Sequence, residues 1–467
     1  MTFFQELNKF GDNIVAIEPG GEKYSYRSLV TESDRFIENL DTVKKKLVFI
    51  LCRNCFEALV GYIGSLRSAS AGILLPSTID KDSLDNLTGL YKPDYVWRPV
   101  NSGNGVFNFK NYSLERTGIT RDEEIHSDLV LLLSTSGSTG SPKMVRLTAS
   151  NIDENASSIA EYLKLHEDER PITTLPMHYS YGLSVINSHL KVGATLLLTN
   201  DSLVSRPFWN YFLSSKATSI AGVPYNYEIL RRIKFFKMDL GSLKTMTQAG
   251  GKLTPKYALE FAEFAEEKKI NFFIMYGQTE ATARISYLPP EDALEKYRSI
   301  GIAIPGGAMS LIDDNGNTIN DPNIQGELVY QGPNVMLGYA TSVSDLAKGD
   351  ELKGVLKTGD IAFYDEDGYF YVTGRKKRFI KIYGNRVNLD EIEHFLKEQG
   401  YNGVCGGKDD QMYIAITDNG KAEAVKNIIS GKYGFHPNSF RIKEVTEIYK
   451  STSGKILYEK IFKDIGN

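Results

Sequence analysis

The sequence predicts an α/β fold: a large N-terminal domain of βαβ-type subdomains with a small β-barrel-like part, followed by a small α+β C-terminal domain. Three observations support this prediction. Short apolar runs alternate with amphipathic stretches through the first 300 residues, the texture changes to short strands and turns from about Met309, and 467 residues are too many for one ordinary core.

The first βαβ unit is predicted between residues 46 and 76. Residues 46–51 are an apolar run of strand length, residues 57–69 have the pattern of a helix, and residues 71–76 are a second apolar run. A strand, a helix and a strand in that order predict a parallel sheet.

The same alternation returns between Pro171 and Val223, with strands predicted at residues 195–198 and 219–224. From about Met309 the runs are shorter, and turn signals occur at residues 314–317 and 365–368. This spacing predicts antiparallel strands or a small barrel.

A domain boundary is predicted near Gly374, giving domains at 1–374 and 375–467. The second carries 17 Lys or Arg against 12 Asp or Glu, whereas the first carries 37 against 46. A basic domain following an acidic one fits a cationic lid over an anionic substrate. A mere difference in surface composition fits the charges equally well.

Charge and composition narrow the class of protein. A formal net charge of −4 excludes a broadly polybasic surface, so we expect no nucleic-acid partner. No apolar run approaches the roughly 20 residues of a membrane helix, and we expect no membrane span. Three cysteines cannot form a disulfide framework, which favours a cytoplasmic location. A closed zinc site needs four ligands and Cys405 is the one further cysteine, so a buried structural role is favoured for Cys52 and Cys55.

The sharpest local signal is the segment 134–143, which reads STSGSTGSPK after an apolar strand. Its glycines allow backbone N–H groups to converge on one anion, its hydroxyls add donors, and Lys143 adds a mobile positive charge. These are the requirements of a polyphosphate clamp, although the segment is not a Walker A loop. Composition alone favours a flexible surface turn equally.

Further motifs follow this loop in a fixed order. They read QAGG at 248–251, YGQTE at 276–280, GEL at 326–328, TGD at 358–360, GRKK at 374–377 and SGK at 453–455. The ordered set resembles the adenylate-forming superfamily of acyl-CoA synthetases, peptide-synthetase adenylation domains and firefly-type luciferases. The resemblance covers most of the chain.

The resemblance implies an ATP site. Tyr276 would stack on adenine, and Gly277 beside it belongs to the same implied cofactor site. The backbone of Ala249, Gly250 and Gly251 would border the adenine edge. Thr279 would donate to the α-phosphate, and Glu280 would help to bind Mg²⁺. A lone Tyr276 would more simply be a core aromatic. The implied phosphate loop comprises Thr135, Ser136, Gly137, Ser138, Thr139, Gly140 and Lys143.

The resemblance also assigns residues near and beyond the predicted boundary. Asp360 and Arg375 would bind the ribose, and Lys455 would stabilise charge at the α-phosphate during adenylation. Lys377 stands at the hinge position, about which the mobile C-terminal domain of the family rotates between two working positions. The alternative for Asp360 is a simple turn residue. The alternative for Lys455 is one of the many solvated lysines on the surface.

The acyl pocket is implied at Met177-His178-Tyr179-Ser180. Amino-acid-activating relatives carry an aspartate where His178 stands, so an α-ammonium would lose its counter-ion here, which favours an acid without an α-amino group. His178 and Tyr179 would border the pocket. A core histidine without a direct role is the alternative for His178.

The sequence therefore predicts an AMP-forming acid–thiol ligase that uses ATP and Mg²⁺ to activate a carboxylic acid, and then transfers the acyl group to coenzyme A. One alternative acceptor is the phosphopantetheine of an acyl carrier protein. A non-catalytic nucleotide-binding relative is another alternative, motivated by departures from the family pattern at Met144, Ala149 and Tyr458.

Overall fold

The computed structural model describes residues 1–41, 43–100, 104–134, 143–382, 385–436, 438–450 and 456–462. Strands and helices alternate in the first part of the chain, at β1 Ile14–Ile17, β2 Lys23–Ser25, α1 Tyr26–Glu38, β3 Leu47–Cys52, α2 Phe56–Arg67, β4 Ala71–Pro76, α3 Lys81–Tyr91, β5 Tyr95–Pro99, β6 Phe107–Phe109, β7 Tyr112–Arg116 and β8 Leu129–Ser134.

The alternation continues through the middle of the chain. The elements there are β9 Met144–Thr148, α4 Ala149–Tyr162, β10 Pro171–Ile172, α5 Ser180–Lys191, β11 Leu196–Leu197, α6 Arg206–Ser214, β12 Ser219–Gly222, α7 Pro224–Arg232, β13 Thr245–Gln248, α8 Pro255–Lys268, β14 Asn271–Tyr276, β15 Ser286–Leu288 and β16 Ile302–Ala303.

The last part is richer in short strands. Its elements are β17 Ala308–Ile312, β18 Thr318–Ile319, β19 Gly326–Gln331, β20 Gly338–Ala340, β21 Val355–Tyr364, β22 Phe370–Arg375, β23 Phe379–Ile382, β24 Asn385–Asn388, α9 Leu389–Glu398, β25 Gly403–Lys408, β26 Gln411–Ile416, α10 Ala422–Tyr433, β27 Phe440–Glu444 and α11 Tyr458–Phe462.

The predicted βαβ unit is confirmed. Strands β3 and β4 are parallel and in register from Leu47↔Ala71 to Cys52↔Pro76, with α2 as the crossover. They lie in the middle of a sheet ordered β20-β9-β8-β4-β3-β5-β7-β6. Every residue of β3 is buried, as expected for a strand that helices cover on both faces.

A second sheet is ordered β16-β15-β14-β13-β12-β10-β11-β1-β2. Its strands β12, β13 and β14 are parallel, and Gly222, Gln248 and Ile274 align in register near their carboxyl ends. Connections that follow these strands therefore emerge at the same edge of the sheet. That edge is where open α/β sheets bind ligands.

The remaining strands form smaller sheets, ordered β18-β17-β19-β21-β22, β23-β24 and β25-β26-β27. The predicted turns at 314–317 and 365–368 connect the antiparallel pairs β17–β18 and β21–β22. The C-terminal α+β region has its own apolar core, in which β25 and β26 contribute Cys405 and Ile414 and helix α9 contributes Ile392 and Leu396.

The described residues form two compact units. One contains the residues before 135, those from 143 to Ala308, and Gln331–Leu356, whereas the other contains Met309–Tyr330 and the residues from Lys357 onward. The predicted boundary near Gly374 stays a prediction. In the part of the chain that the structure describes, we find no helix with the length and apolar character that crossing a membrane requires.

Candidate active site

The QAGG and YGQTE motifs lie together at the carboxyl edge of the second sheet. Gln248 ends β13 and pairs with Ile274 of β14, so that Tyr276 extends two residues beyond it. The Gln248 side-chain amide donates to the carbonyl oxygen of Gly251 over 2.8 Å, which folds the segment after β13 back onto the strand end. The parallel register, rather than sequence proximity, brings the two motifs to one edge.

Gly277 is required by a close backbone approach. A Cβ atom at this position would lie 2.0 Å from the carbonyl oxygen of Ala283, closer than any real side chain allows. The turn beyond it passes through left-handed backbone at Thr282 (φ 57°). Buried Asn334 braces this turn by donating to the carbonyl oxygens of Ala281 and Arg284 over 2.7 and 2.8 Å.

Glu280 has a fixed orientation. Tyr339 of β20 donates its hydroxyl hydrogen to Glu280 Oε1 over 2.8 Å, and the ammonium of Lys143 lies 3.3 Å from the centroid of the same tyrosine ring. Burial, and then the Glu280 carboxylate, raise the pKa of Tyr339, so the phenol stays protonated as a donor. Lys143, Tyr339 and Glu280 thus form one chain of contacts.

The side chain of Thr279 is held by helix α5, whereas that of Glu280 is held by strand β20. Its Oγ1 lies 3.0 Å from Oγ of Ser180, the first residue of helix α5. A 3₁₀ turn at Thr279–Ala281 presents this hydroxyl directly after the strand end. The structure therefore places a hydroxyl and a carboxylate on consecutive residues of one turn, each held by a different hydrogen-bond partner.

The predicted pocket residue Tyr179 meets the QAGG motif. A Cβ atom on Gly250, whose φ is +80°, would lie 2.6 Å from the Tyr179 hydroxyl oxygen and 3.0 Å from Val223. Glycine is needed at this position both for the backbone conformation and for the close approach of the tyrosine. Tyr179 itself immediately precedes α5, so the helix start positions Tyr179 and Ser180 together.

His178 is a largely buried histidine, and its Nδ1 has no hydrogen-bond partner. Burial lowers the pKa of His178 to about 4, so the ring is neutral near pH 7. The preceding residue is fixed, since Met177 N–H donates to the Asn54 side-chain oxygen over 3.0 Å. A neutral ring with an unused nitrogen cannot replace a carboxylate as the counter-ion of an ammonium group.

Asp360 and Arg375 are cross-strand partners on the antiparallel strands β21 and β22. Arg375 Nε lies 3.4 Å from Asp360 Oδ1, and the arginine side chain is 70% exposed whereas the aspartate is 10% exposed. The backbone N–H of Asp360 donates to Thr358 Oγ1 over 3.1 Å, which ties together the first and last residues of the TGD motif.

Part of the predicted site lies outside the described residues. This applies to Lys455 and to the loop residues Thr135, Ser136, Gly137, Ser138, Thr139 and Gly140. The backbone of Lys377 lies in a 3₁₀ turn at Lys376–Arg378 that follows β22. The roles assigned to the site residues stay predictions.

The sequence patterns did not indicate Tyr339 or Arg284, and they placed Ser180 in the acyl-pocket segment without predicting its contact with Thr279. Tyr339 is remote in sequence from Glu280, and no local pattern marks it. Arg284 did have a signal, because it is the one charged residue in the otherwise uncharged run 281–288. A single charge within a strand-like run indicates a buried ion with a specific task.

Comparison with known proteins gives one family match and several relatives. The model of the family described as AMP-binding enzyme matches residues 3–340. The indoleacetate–CoA ligase of Aromatoleum aromaticum is 31% identical over 291 residues, which are 61% of this chain and 56% of that protein. The D-alanine–D-alanyl carrier protein ligase of Staphylococcus aureus is 23% identical over 414 residues, 85% of this chain and 82% of that one.

Among solved structures, this chain resembles O-succinylbenzoate coenzyme A synthetase from Bacillus subtilis in complex with ATP and magnesium ion. The TM-score is 0.78 at 21% identity, and the alignment covers 99% of both chains. The chain thus spans little more than half the length of the first relative named above, whereas the shared fold extends over nearly all of it.

Proposed function

This chain belongs to the AMP-binding enzyme family, and from that membership we propose that it is an AMP-forming ligase that activates a carboxylic acid with ATP and passes the acyl group to a thiol. The resemblance to the adenylate-forming superfamily drawn from the motifs is confirmed by the family match, and the α/β fold by the structural relatives. The indoleacetate ligase and the carrier protein ligase both support acid activation followed by transfer to a thiol.

In the first step, a carboxylate oxygen of the acid attacks the α-phosphorus of ATP. The new P–O bond gives an acyl-adenylate, and the bond to the β-phosphate breaks to release pyrophosphate. Negative charge accumulates around the α-phosphate as the bond forms, so fixed donors and cations there lower the barrier. Thr279 would supply a hydroxyl and Lys455 a positive charge.

One observation carries this proposal: Thr279 and Glu280 stand side by side at the sheet edge, with their side chains held by Ser180 and Tyr339. A carboxylate in that position suits Mg²⁺, a hard cation that prefers oxygen ligands and substrate phosphates. Mg²⁺ bound there by Glu280 would neutralise phosphate charge.

In the second step, a thiolate attacks the acyl carbon and AMP leaves with the pair of electrons of the broken C–O bond. Coenzyme A is the acceptor that we propose first, supported by the CoA ligases among the relatives. A carrier-protein phosphopantetheine is the second candidate, and the carrier protein ligase of Staphylococcus aureus favours it. The neutral His178 supports an acid without an α-amino group.

Carboxylate-dependent exchange of pyrophosphate into ATP tests the first step. The panel comprises fatty, aromatic, hydroxy, amino and dicarboxylic acids, and the variants are Lys455→Ala and, as its control, the exposed Lys421→Ala. We expect the wild type to catalyse exchange with one class of acid. The exchange rate should fall at least 100-fold in Lys455→Ala, which corresponds to roughly 3 kcal/mol of transition-state stabilisation. The rate should be unchanged in Lys421→Ala.

If no acid of the panel supports exchange while calorimetry detects ATP binding, the proposed ligase activity is contradicted and the non-catalytic nucleotide-binding alternative is favoured.

The acceptor is tested separately, by transfer of a radiolabelled acyl group to free coenzyme A and to a phosphopantetheinylated carrier domain. Transfer to the carrier alone would reverse our order of acceptors.

We also infer a cytoplasmic location, supported by three cysteines that form no disulfide. Reducing compartments keep thiols free, and ATP and coenzyme A are both available there. Fractionation of cells that express the full chain tests this inference, and recovery in a secreted or membrane fraction would contradict it.

A further inference from the structure

Asn54, in the segment CRNC at 52–55, is a buried asparagine that uses its whole side-chain amide. It is 8% exposed. Its Nδ2 donates to the carbonyl oxygens of Leu175 and Thr199 over 3.1 and 3.2 Å, and its Oδ1 accepts from the Met177 N–H over 3.0 Å. Both hydrogens of the amide and its oxygen are therefore bonded to the backbone of distant segments.

These bonds join strand ends of the two large sheets. Asn54 follows β3 of the first sheet, whereas Leu175 and Thr199 follow β10 and β11 of the second. The backbone of Asn54 is itself fixed, since its N–H donates to Asn200 Oδ1 over 3.0 Å and its carbonyl oxygen accepts from Asn200 Nδ2 over 3.3 Å. One asparagine therefore ties the chain after β10 to the first sheet.

The chain tied in this way, residues 175–180, is called the clamped segment, and it leads into the proposed adenylation site. Its last residue, Ser180, has its Oγ 3.0 Å from Thr279 Oγ1. Its neighbour Tyr179 has its hydroxyl oxygen 2.6 Å from the place that a Cβ atom on Gly250 would take. The clamped segment thus meets the YGQTE and QAGG motifs with two consecutive residues.

Helix α5 holds the clamped segment by packing, and Asn54 holds it by hydrogen bonds. A Cβ atom on Gly182 of α5 would overlap the carbonyl oxygen of Pro176 and lie 3.0 Å from that of Leu175, so the backbones are in close contact. Leu175 and Met177 are 7% and 2% exposed. Without Asn54, a buried carbonyl and a buried N–H of the segment would lose these partners, and the segment would have to move to regain others.

We propose that Asn54 is a positioning residue for acid activation, because it sets the place of the clamped segment and thereby that of Tyr179 and Ser180. This inference rests on the proposed function and adds to it a residue outside the family motifs. Ser180 orients the hydroxyl of Thr279, which is proposed to act at the α-phosphate. A misplaced segment should therefore slow the attack of the acid, since reacting groups that are displaced by about 1 Å lose much of their rate.

Pyrophosphate exchange by Asn54→Ala tests the inference. Alanine removes all three side-chain hydrogen bonds of Asn54. We expect kcat/KM for the acid to fall roughly 10- to 100-fold. The calorimetric Kd for ATP should change less than about threefold, because the proposed contacts of Tyr276 and Asp360 with the nucleoside come from other segments.

Asn187→Ala is the matched control. Asn187 is similarly buried (5% exposed) and lies on α5, where its Oδ1 accepts from the hydroxyl of Tyr62 of α2 over 3.1 Å. Its loss should lower the melting temperature as that of Asn54 does, and kcat/KM for the acid should stay at the wild-type value. An equal fall of kcat/KM in the two variants would mean general loosening of the fold and would overturn the positioning role.

Hydrogen–deuterium exchange gives a readout that does not depend on turnover. Amides of the clamped segment should exchange at least about 10-fold faster in Asn54→Ala than in the wild type or in Asn187→Ala. If Asn54→Ala fails to fold, Asn200→Ala replaces it, because Asn200 is exposed and its loss removes the two bonds to the Asn54 backbone. That variant should show smaller changes in the same direction.

The outcomes separate the two proposals. Faster hydrogen exchange in the clamped segment with an unchanged kcat/KM for the acid overturns the positioning role of Asn54 while the ligase stands. A wild type that catalyses no pyrophosphate exchange with any acid contradicts the ligase. Hydrogen exchange then decides the contact alone, and equal rates in the wild type and Asn54→Ala would show that Asn54 does not hold the segment.

Discussion

Tyr339 donates a hydrogen bond of 2.8 Å to the carboxylate of Glu280, a residue 59 positions earlier in the chain. The strand that carries Tyr339, β20, pairs with β9 of one sheet, whereas Glu280 follows β14 of the other. This contact therefore connects the two large sheets at the proposed ATP site. It fixes the direction in which the Glu280 carboxylate points, and thus the place where a cation would bind.

The first prediction concerns Tyr339→Phe. The variant loses the hydroxyl but keeps the ring on which Lys143 lies, so Glu280 becomes free to rotate. We expect KM for MgATP to rise about 5- to 50-fold, an effect of about 1 to 2 kcal/mol, with a smaller change in kcat. Steady-state kinetics over a range of Mg²⁺ concentrations measures it.

Tyr112→Phe is the matched control, because Tyr112 is a buried tyrosine of the same unit whose hydroxyl donates to the Leu51 carbonyl oxygen over 2.9 Å. It should lower thermal stability as Tyr339→Phe does, without altering the Mg²⁺ dependence. Equal effects of the two variants on KM would contradict a positioning role for Tyr339.

The second prediction is that Gly277→Ala abolishes ATP binding. The added methyl would lie 2.0 Å from the Ala283 carbonyl oxygen, and backbone cannot swing aside as a flexible side chain can. The turn that carries Thr279 and Glu280 must shift, at a cost of about 1 to 3 kcal/mol in unfolding free energy. Calorimetric titration with ATP and urea denaturation measure the two effects.

A comparison variant for this test is Gly89→Ala. Gly89 lies within helix α3, where an added Cβ meets nothing within 4 Å. Alanine should stabilise that helix by up to about 1 kcal/mol and leave ATP binding unchanged. Wild-type ATP affinity in Gly277→Ala would show that the turn tolerates a side chain.

The third prediction is a loss of stability in mild acid. Burial lowers the pKa of His178 and of His189 to about 4, below the ordinary value of 6.5. Between pH 6.5 and 4 the unfolded chain therefore binds protons that the folded chain does not, and the free energy of unfolding falls as the pH falls. Each histidine contributes on the order of 2 to 3 kcal/mol across this window.

Urea denaturation of wild type, His178→Gln and His189→Gln at half-unit pH intervals checks this. Each variant should have a shallower slope between pH 6.5 and 4 than the wild type. The comparison at pH 7.5, where both rings are neutral in either state, gives the effect of packing alone. Parallel slopes in all three proteins would mean that these histidines do not cause the acid sensitivity.

The amino-acid sequence predicts the secondary structure of this molecule better than it predicts the contacts between side chains. The βαβ unit of β3, α2 and β4 follows from local patterns, since apolar runs of strand length and an amphipathic stretch are each visible within a short window. The family can be predicted from the sequence because each motif is a short contiguous segment and the motifs follow one another in the order typical of the family. These features need no knowledge of tertiary contacts.

Contacts between distant segments could not be predicted in the same way. The partner of Glu280 is Tyr339 and the partner of Thr279 is Ser180, and both depend on how sheets and helices pack. The charge of Arg284 was visible in the sequence, but its burial without a carboxylate is a property of the assembled core. Side-chain partners of this kind require the structure.

The last prediction concerns the Asp360–Arg375 pair. Asp360 is 10% exposed, and its cross-strand partner Arg375 is mostly solvent-exposed, so the pair adds only about 0 to 1 kcal/mol to stability. A carboxylate held there is instead suited to accept hydrogen bonds from two ribose hydroxyls. Asp360→Asn, which replaces one acceptor oxygen by a donor, should raise KM for ATP about 10- to 100-fold with little change in melting temperature.

Glu327→Gln provides the comparison on the same sheet, because Glu327 is similarly shielded (12% exposed) and pairs with Lys376 over 2.8 Å. It removes a paired carboxylate that the ribose assignment does not involve, so KM for ATP should stay at the wild-type value. If both variants raise KM equally, the effect belongs to the sheet as a whole. A higher KM for ATP in Asp360→Asn alone would favour ribose recognition by Asp360. If that variant also has the same KM for ATP and for 2′-deoxy-ATP, the lost contact is one to the 2′-hydroxyl.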